Sequence, residues 1–456
     1  MQAERDRESW EVLRALAAVG DARGLATYVD RIGPSEAFRA LLHLEPDERE
    51  QVLVTLSPQA AADLIEEIPD EHASDLIEQL PVKNAASILS EMDSDDQADV
   101  IGDMASDDAE AILAEMAPED AADVRRLVRY APDVAGGLMS TDYLSYPEAT
   151  LVGEVIDDLS TRAEAHEGSE HDAHVYVVSA LGKLVGVLDL RELVLARRST
   201  PLAAILKSSL CVRAEVSLDD LNEFFERHAF LAVPVVDEHQ ELIGIVRRED
   251  VAEAIAERAD AEYLKSQGIV GGDEIRSLPV LTRSGRRLSW LSINIVLNML
   301  AASVIALYED TLSAVIALAV FLPIVSDMSG CSGNQAVAVS MRELSLGIVK
   351  PFEALRVWLQ EISIGVLNGV ALGVLLGLAA WLWKGNPWLG AVVGGALAIN
   401  TLLAVSLGGT VPLLLKRIGV DPAAASGPIL TTVTDMAGFF LVLSLATAVL
   451  PRLAGL

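Results

Sequence analysis

Five long apolar runs dominate the C-terminal part of the chain, and each is near the length of about 20 residues that an α-helix needs to cross a bilayer. They cover residues 288–307, 312–339, 362–383, 388–415 and 423–450. A large buried α-helical domain is the alternative, but buried core helices are usually shorter than these runs. The pattern therefore predicts a bundle of five transmembrane helices.

A different pattern fills residues 33–128, where the sequence repeats every 12 residues. Each repeat opens with a Pro or an Asp/Ser cluster suited to starting a helix and ends in a large aliphatic residue or Met. One short helix cannot bury its own apolar face, so the repeats must stack. We expect an acidic α-helical superhelix, which serves either as a cation-responsive surface or only as a solvated scaffold.

Residues 139–262 show two copies of a strand–strand–helix pattern, which indicates an α/β architecture. The predicted strands cover residues 174–178, 184–188, 232–236 and 242–246. Helices are predicted from Asp189 and from Arg248. The second helix continues as an acidic connecting helix to Gly268, and a glycine-punctuated linker over residues 268–272 leads to the first apolar run.

Charge separates the two parts of the chain. Of the 67 acidic residues only eight follow residue 280, against ten of the 34 basic residues. The acidic first part would repel phosphates, which argues against nucleic acid and favours cations as partners. The two cysteines, Cys211 and Cys331, cannot form a disulfide framework.

Basic residues near the ends of the apolar runs predict the orientation in the membrane. Eight lie on one side and two, Lys384 and Arg452, on the other. The N-terminus is polar, without a signal-peptide pattern. We therefore expect the N-terminus in the cytoplasm and the C-terminus outside.

Two apolar runs contain a carboxylate. Asp435 follows Thr431 in the fifth run, and Asp327 lies in the second, between Pro323 and a pair of glycines that should kink or locally open the helix. A carboxylate in mid-membrane costs about 2.5–3.5 kcal/mol on insertion scales and normally faces a cavity. A hydrated cation is the favoured partner of Asp435; a neutral structural acid bonded to a neighbouring helix is the alternative.

The order of these segments resembles a known family. The motif VPVVD at residues 233–237, followed by LIGIV at 242–246, resembles a CBS domain, a module that often occurs in pairs which bind adenosine nucleotides or act as hinges. With the superhelix, the connecting helix and five spans, the whole chain resembles the MgtE family of Mg²⁺ channels. The local matches are AGGLMS at residues 135–140, the segment 323–335, and VDPA at 420–423 with Asp435.

The resemblance implies roles for particular residues. Asp435 matches the pore acid that holds hydrated Mg²⁺, with Thr431 beside it and Asp421 in the preceding loop. The implied Mg²⁺-sensing positions are Asp63, Asp95, Asp99, Gly136, Asp250, Glu253 and Glu262. Arg258 and Ala261 stand where the family has acids, which weakens the sensing cluster, and Cys331 stands where the second span usually has Asn.

The sequence thus predicts a homodimeric, multi-pass transporter of the cell membrane that takes up Mg²⁺, is gated by intracellular Mg²⁺ and binds ATP at the CBS pair, with no enzymatic motif. A Co²⁺ transporter of the same build and a nucleotide-regulated CBS receptor are the alternatives. The predicted domains are 1–132 (superhelix), 133–200 and 201–250 (CBS), 251–280 (connecting helix and linker) and 281–456 (membrane).

Overall fold

A computed structural model describes residues 2–165, 174–269 and 280–453. These residues form two compact units, Met1–Ala256 and Glu257–Leu456. Part of the predicted glycine linker, residues 270–272, lies outside the described residues.

The first unit begins with helices α1 (Gln2–Val19) and α2 (Ala22–Ile32), which the sequence pattern did not predict. Eight short helices follow, and each starts 12 residues after the one before it. They are α3 (Pro34–Leu42), α4 (Pro46–Thr55), α5 (Pro58–Glu66), α6 (Asp70–Glu78), α7 (Val82–Leu89), α8 (Ser94–Asp103), α9 (Ser106–Leu113) and α10 (Pro118–Leu127). The predicted repeat is confirmed.

Local chemistry sets the start of each repeat, and packing sets its inner face. In α5, Pro58 occupies the first turn and the Ser57 hydroxyl accepts a hydrogen bond from the Ala60 amide. The aliphatic residue near the end of each repeat is buried between neighbours, as Ile65, Ile77 and Leu89 are. The acids between these positions remain on the surface or at helix starts, where the helix dipole favours them.

Two small three-stranded sheets complete the unit, in the orders β1–β2–β3 and β4–β5–β6. The strands are β1 (Leu144–Pro147), β2 (His174–Val178), β3 (Leu184–Asp189), β4 (Val212–Arg213), β5 (Ala232–Val236) and β6 (Leu242–Arg247). The helices are α11 (Val152–Ala165), α12 (Leu190–Leu195), α13 (Leu218–Arg227) and α14 (Arg248–Ser266). The four predicted strands are confirmed as β2, β3, β5 and β6, and the structure pairs them antiparallel. The parallel strands β1 and β4 are too short to leave a pattern.

The second unit is entirely helical. Its helices are α15 (Val280–Ala306), α16 (Glu309–Ala314), α17 (Leu318–Ser345), α18 (Ala354–Lys384), α19 (Pro387–Arg417), α20 (Pro422–Ala448) and α21 (Leu450–Leu453). Among the described residues, α15, α18, α19 and α20 are long and apolar enough to cross a membrane. The predicted second span is divided between α16 and the more polar, 28-residue α17, so the count of five spans stays a prediction.

Helix α17 corrects one expectation, because it is a continuous α-helix through Pro323, Gly330 and Gly333. The predicted local opening is wrong. Gly408 instead lets α19 approach α17, because a Cβ atom built on it would lie 2.2 Å from the backbone oxygen of Gly333. Small residues in membrane helices commonly allow such backbone approach.

The contact of α18 with α19 gives a test of this packing. A Cβ on Gly394 would lie 2.4 Å from the Gly373 backbone oxygen, whereas a Cβ on the adjacent Gly395 meets nothing within 4 Å. We expect Gly394→Ala to force the helices apart and to destabilise the detergent-solubilised protein by about 1–3 kcal/mol. Thermal unfolding measures the effect.

Gly395→Ala is the matched control, since both changes alter helix propensity equally and only one introduces an overlap. Equal melting temperatures for the two variants would contradict the close approach of α18 and α19.

Candidate functional site

Three carboxylates meet at the start of α8. Asp93, Asp95 and Asp96 each offer an oxygen, and these oxygens lie within 4.8 Å of one another. Asp95 is only 6% exposed. The Asp93 amide donates a 2.8 Å hydrogen bond to Glu66, which brings a fourth carboxylate to the group. We call these four residues the acidic cluster, Glu66, Asp93, Asp95 and Asp96, and we include Asp250, which contacts Arg247 as Asp93 and Asp95 do.

Arg247, at the end of β6, supplies a positive charge to this cluster. Its guanidinium lies 2.6 Å from Asp93, 2.9 Å from Asp95 and 3.0 Å from Asp250, measured between nitrogen and carboxylate oxygen. The Arg247 side chain is 12% exposed. The structure therefore brings together two predicted sensing residues, Asp95 and Asp250, around a cation that belongs to the chain itself.

Burial dominates the electrostatics of the cluster. Loss of water, added to the charges of its neighbours, raises the pKa of Asp96 to about 9. Burial likewise raises the pKa of Asp95, to about 7, although Arg247 opposes the shift. The pKa of Asp250 is raised for the same reason. A cation that bound here would favour the ionised carboxylates and would compete with the protons that burial retains.

The donor set suits a hard divalent cation, because carboxylate oxygens are the ligands that Mg²⁺ and Ca²⁺ prefer. One observation supports the fit: among the described residues, the buried Oδ1 atom of Asp95 has no hydrogen-bond partner. Arg247 already balances part of the charge, so a bound ion would share the cluster with the guanidinium.

Three other predicted sensing residues also belong to the first unit, and two of them lie within one helical turn of a cluster residue. Glu253 follows Asp250 by three residues on α14, and burial and the Asp250 charge raise its pKa. Asp99 lies one turn beyond Asp95 on α8. Gly136 is buried, and a Cβ there would lie 2.5 Å from the Tyr130 ring, so glycine is required for packing.

Burial raises the pKa of Glu66, and the charges of Asp93 and Asp63 add to the shift. Asp63 therefore lies close to the acidic cluster, on α5 three residues before Glu66. It is exposed and accepts a 2.9 Å hydrogen bond from Gln59. It lines a separate surface hollow of about 190 Å³ with Asp30 and Glu67. The structure does not assemble all the predicted sensing residues into one site.

In the second unit, a cavity of about 670 Å³ lies between the end of α14 and helices α15, α17 and α20. Thr431 and Glu262, both predicted site residues, line it together with Asn294 and Asn334. The Ser345 hydroxyl donates a 3.2 Å hydrogen bond to Glu262. The wall is mixed: apolar residues such as Val337 and Met341 line it beside these polar groups, which could contact a hydrated ion.

Asp435 lies one helical turn beyond Thr431 on α20 and is half-buried. The Ser326 hydroxyl of α17 donates a hydrogen bond to its Oδ1 atom. This bond to a neighbouring helix is also what the structural-acid alternative requires, so contacts alone do not separate the two interpretations. Asp327, the other membrane acid, is exposed.

Asp421 has a structural role at the start of α20, where its side chain accepts a 2.8 Å hydrogen bond from the Ala423 amide. Lys265 of α14 lies 3.8 Å from its other oxygen. Fourteen residues of helix separate Asp421 from Asp435, about 21 Å at 1.5 Å per residue. Asp421 and Asp435 therefore do not belong to one ion-binding site.

Several residues of these sites were missed in the sequence. Asp93 and Asp96 belong to the run DSDD, which predicted only a helix start, and Arg247 stands at the junction of a predicted strand and helix. Asn400 is buried in α19 and was not singled out. The sequence did contain a signal for Asn400, because a side-chain amide within a run of 28 uncharged residues needs hydrogen-bond partners from the protein.

A bundle of apolar helices that carries a half-buried carboxylate, preceded by an acidic superhelix and paired α/β modules, indicates a multi-pass membrane protein of the ion-transporter class. Family models agree with this architecture. They match as "MgtE intracellular N domain" over residues 32–133, "CBS domain" over 203–257 and "Divalent cation transporter" over 322–445.

Two relatives cover most of the chain. Magnesium transporter MgtE of Bacillus subtilis is 32% identical over 71% of each chain. Magnesium transporter MgtE of Thermus thermophilus is 34% identical over 72% of this chain and 73% of its own length. The crystal structure of the soluble part of a magnesium transporter superposes with a TM-score of 0.50 at 25% identity, over 56% of this chain and 99% of that one. The chain belongs to the MgtE family.

Replacing Arg247 tests the energetics of the acidic cluster. We expect Arg247→Met to destabilise the soluble half by about 3–5 kcal/mol in EDTA, because it leaves buried carboxylates without their cation. Urea unfolding of the detergent-solubilised chain, followed by circular dichroism, measures the change.

Arg227→Met is the matched control. Arg227 forms an exposed ion pair with Glu223, and such pairs contribute about 0–1 kcal/mol. A loss of stability that is no greater in Arg247→Met than in Arg227→Met would contradict a structural role for the Arg247 guanidinium.

Proposed function

We propose that this protein carries Mg²⁺ across the cell membrane and that Asp435 holds the hydrated ion. The observation that carries the proposal is the position of Asp435: a half-buried carboxylate on a membrane helix, one turn from a residue that lines a polar cavity. Relatives named as magnesium transporters over more than two thirds of the chain support the choice of ion.

The chemistry of Mg²⁺ suits this arrangement. The ion is small and sheds water reluctantly, so its protein sites usually keep several of its waters. A carboxylate can accept hydrogen bonds from those waters while balancing the charge, without the cost of full dehydration. Ser326 occupies one oxygen of Asp435, which leaves the other for the hydrated ion.

We further propose that intracellular Mg²⁺ closes the pathway through the acidic cluster. Helix α14 runs without a break from Arg248 to Ser266; it carries Asp250 at its start and Glu262 near its end. An ion that neutralises the cluster would favour one position of α14, and its differential affinity for that state supplies the energy. Arg247 provides part of the charge, so Mg²⁺ adds to a contact that already exists.

The remaining features of the proposal rest on sequence. A homodimer would place a second Asp435 across a two-fold axis. The cytoplasmic side would carry the N-terminus and the sensing domains, as the distribution of basic residues predicts. The CBS pair would bind ATP, and the protein would catalyse no reaction.

Ion flux into liposomes tests the role of Asp435. We expect Asp435→Asn to reduce Mg²⁺ uptake to background, since the neutral amide gives up the charge that balances the ion. Asp310→Asn, which changes an exposed acid of α16, should transport normally. Normal Mg²⁺ uptake by Asp435→Asn would contradict the proposed role of Asp435. Faster uptake of Co²⁺ than of Mg²⁺ by the unmodified protein would favour a Co²⁺ transporter.

Limited proteolysis tests the proposed sensing. Millimolar Mg²⁺ should protect the soluble half of the intact protein, because it lets the carboxylates pack. In Asp95→Asn the concentration that gives half protection should rise about tenfold, the effect of losing about 1.4 kcal/mol of binding energy. The exposed acid Asp310 again provides the control, as Asp310→Asn. If protease protection of the soluble half does not change with Mg²⁺ concentration, the proposed sensing of Mg²⁺ by the acidic cluster is wrong.

A further inference from the structure

Asn400 is a polar side chain in the middle of the most apolar part of the molecule. It lies on α19, is 0% exposed, and belongs to a run of 28 residues without a charge. Burying an amide without partners is costly, and inside a bilayer no bulk water can satisfy it. Its hydrogen bonds must therefore come from the protein.

Those bonds join three helices. The Asn400 Nδ2 atom donates to the Ser329 hydroxyl of α17 at 2.6 Å and to the Thr434 backbone oxygen of α20 at 3.0 Å. A carbonyl oxygen only accepts hydrogen bonds, so the nitrogen must face Thr434. Close contact with α20 is possible because residue 438 is glycine: a Cβ there would lie 2.8 Å from the Asn400 nitrogen.

Both partners lead to Asp435. Thr434 is its neighbour in the chain, so Asn400 fixes the backbone immediately before the acid. The Ser329 hydroxyl lies within donating distance of two backbone oxygens of the preceding turn, at 2.8 Å from Val325 and 2.9 Å from Ser326. The Ser326 side chain of this turn in turn donates to Asp435. Asn400 thus holds the α20 backbone next to Asp435. It also holds the turn of α17 that carries Ser326, the hydrogen-bond partner of the Asp435 side chain.

We infer that Asn400 is a positioning residue for the ion site at Asp435. The inference rests on the proposed function, since it assigns to Asn400 the task of fixing where the carboxylate meets the hydrated ion. Asn400 does not touch the ion. A site that recognises a hydration shell depends on the placement of its acceptor, so loosening Asp435 should weaken affinity and ion preference rather than only lower the amount of folded protein.

Mg²⁺ and Co²⁺ uptake by liposomes containing the full-length protein tests the inference. In Asn400→Leu, we expect the Mg²⁺ concentration for half-maximal uptake to rise about tenfold, which corresponds to about 1.4 kcal/mol. The ratio of Mg²⁺ uptake to Co²⁺ uptake should fall in the same variant. Thr401→Val is the matched control: Thr401 is the next residue, also 0% exposed, and its hydroxyl has no hydrogen-bond partner among the described residues.

A second variant keeps the test decisive if Asn400→Leu folds poorly. Ser329→Ala removes one acceptor of the Asn400 amide with a smaller change, and it should shift the half-maximal concentration in the same direction. Unchanged half-maximal concentration and ion preference in the folded variants would overturn the inference.

Asp435→Asn, measured in the same preparation, separates the two failures. If Asp435→Asn abolishes uptake while Asn400→Leu and Ser329→Ala behave like the control, only the role of Asn400 is wrong. If Asp435→Asn transports normally, the proposed function fails, and the positioning role fails with it.

Discussion

A carboxylate that leaves bulk water needs a positive charge or a hydrogen-bond donor, and this constraint governs both units of the protein. In the first unit the acidic cluster is built around Arg247, whose guanidinium contacts Asp93, Asp95 and Asp250. In the second unit Asp435 accepts a hydrogen bond from the Ser326 hydroxyl. The first arrangement supplies a full charge from within the chain, whereas the second supplies only a dipole and leaves a charge to be balanced.

This difference explains why the two kinds of acid suit different tasks. The Arg247 guanidinium balances part of the negative charge of the acidic cluster without any ion, so in the proposed function an added cation would only strengthen a contact between superhelix and α/β module. An ion pathway must instead bind weakly enough to release its ion. A carboxylate partly balanced by an internal arginine has less charge left for a cation, whereas a hydroxyl partner orients Asp435 without removing its charge.

The sequence predicted the parts of the fold that repeat or that exclude water. The 12-residue period located eight helices, because each repeat carries its own start signal and its own buried aliphatic residue, such as Ile77 or Leu89. Long apolar runs located the membrane helices, because these helices exclude water along their length. The parallel strand β4 was missed, since two residues, Val212 and Arg213, carry no periodicity and depend on their neighbour β5.

The sites were harder to predict because they depend on residues far apart in the chain. Arg247 and Asp95 are separated by 152 positions, and although Asp250 is only three residues from Arg247, that spacing alone does not indicate burial or a partner on α8. Asp435 was found because a charge in an apolar run stands out, while Asn400 and Ser326 resemble ordinary polar residues of membrane helices. A lone acid can therefore be recognised from sequence, but the donors that orient it become visible only when α17, α19 and α20 are packed together.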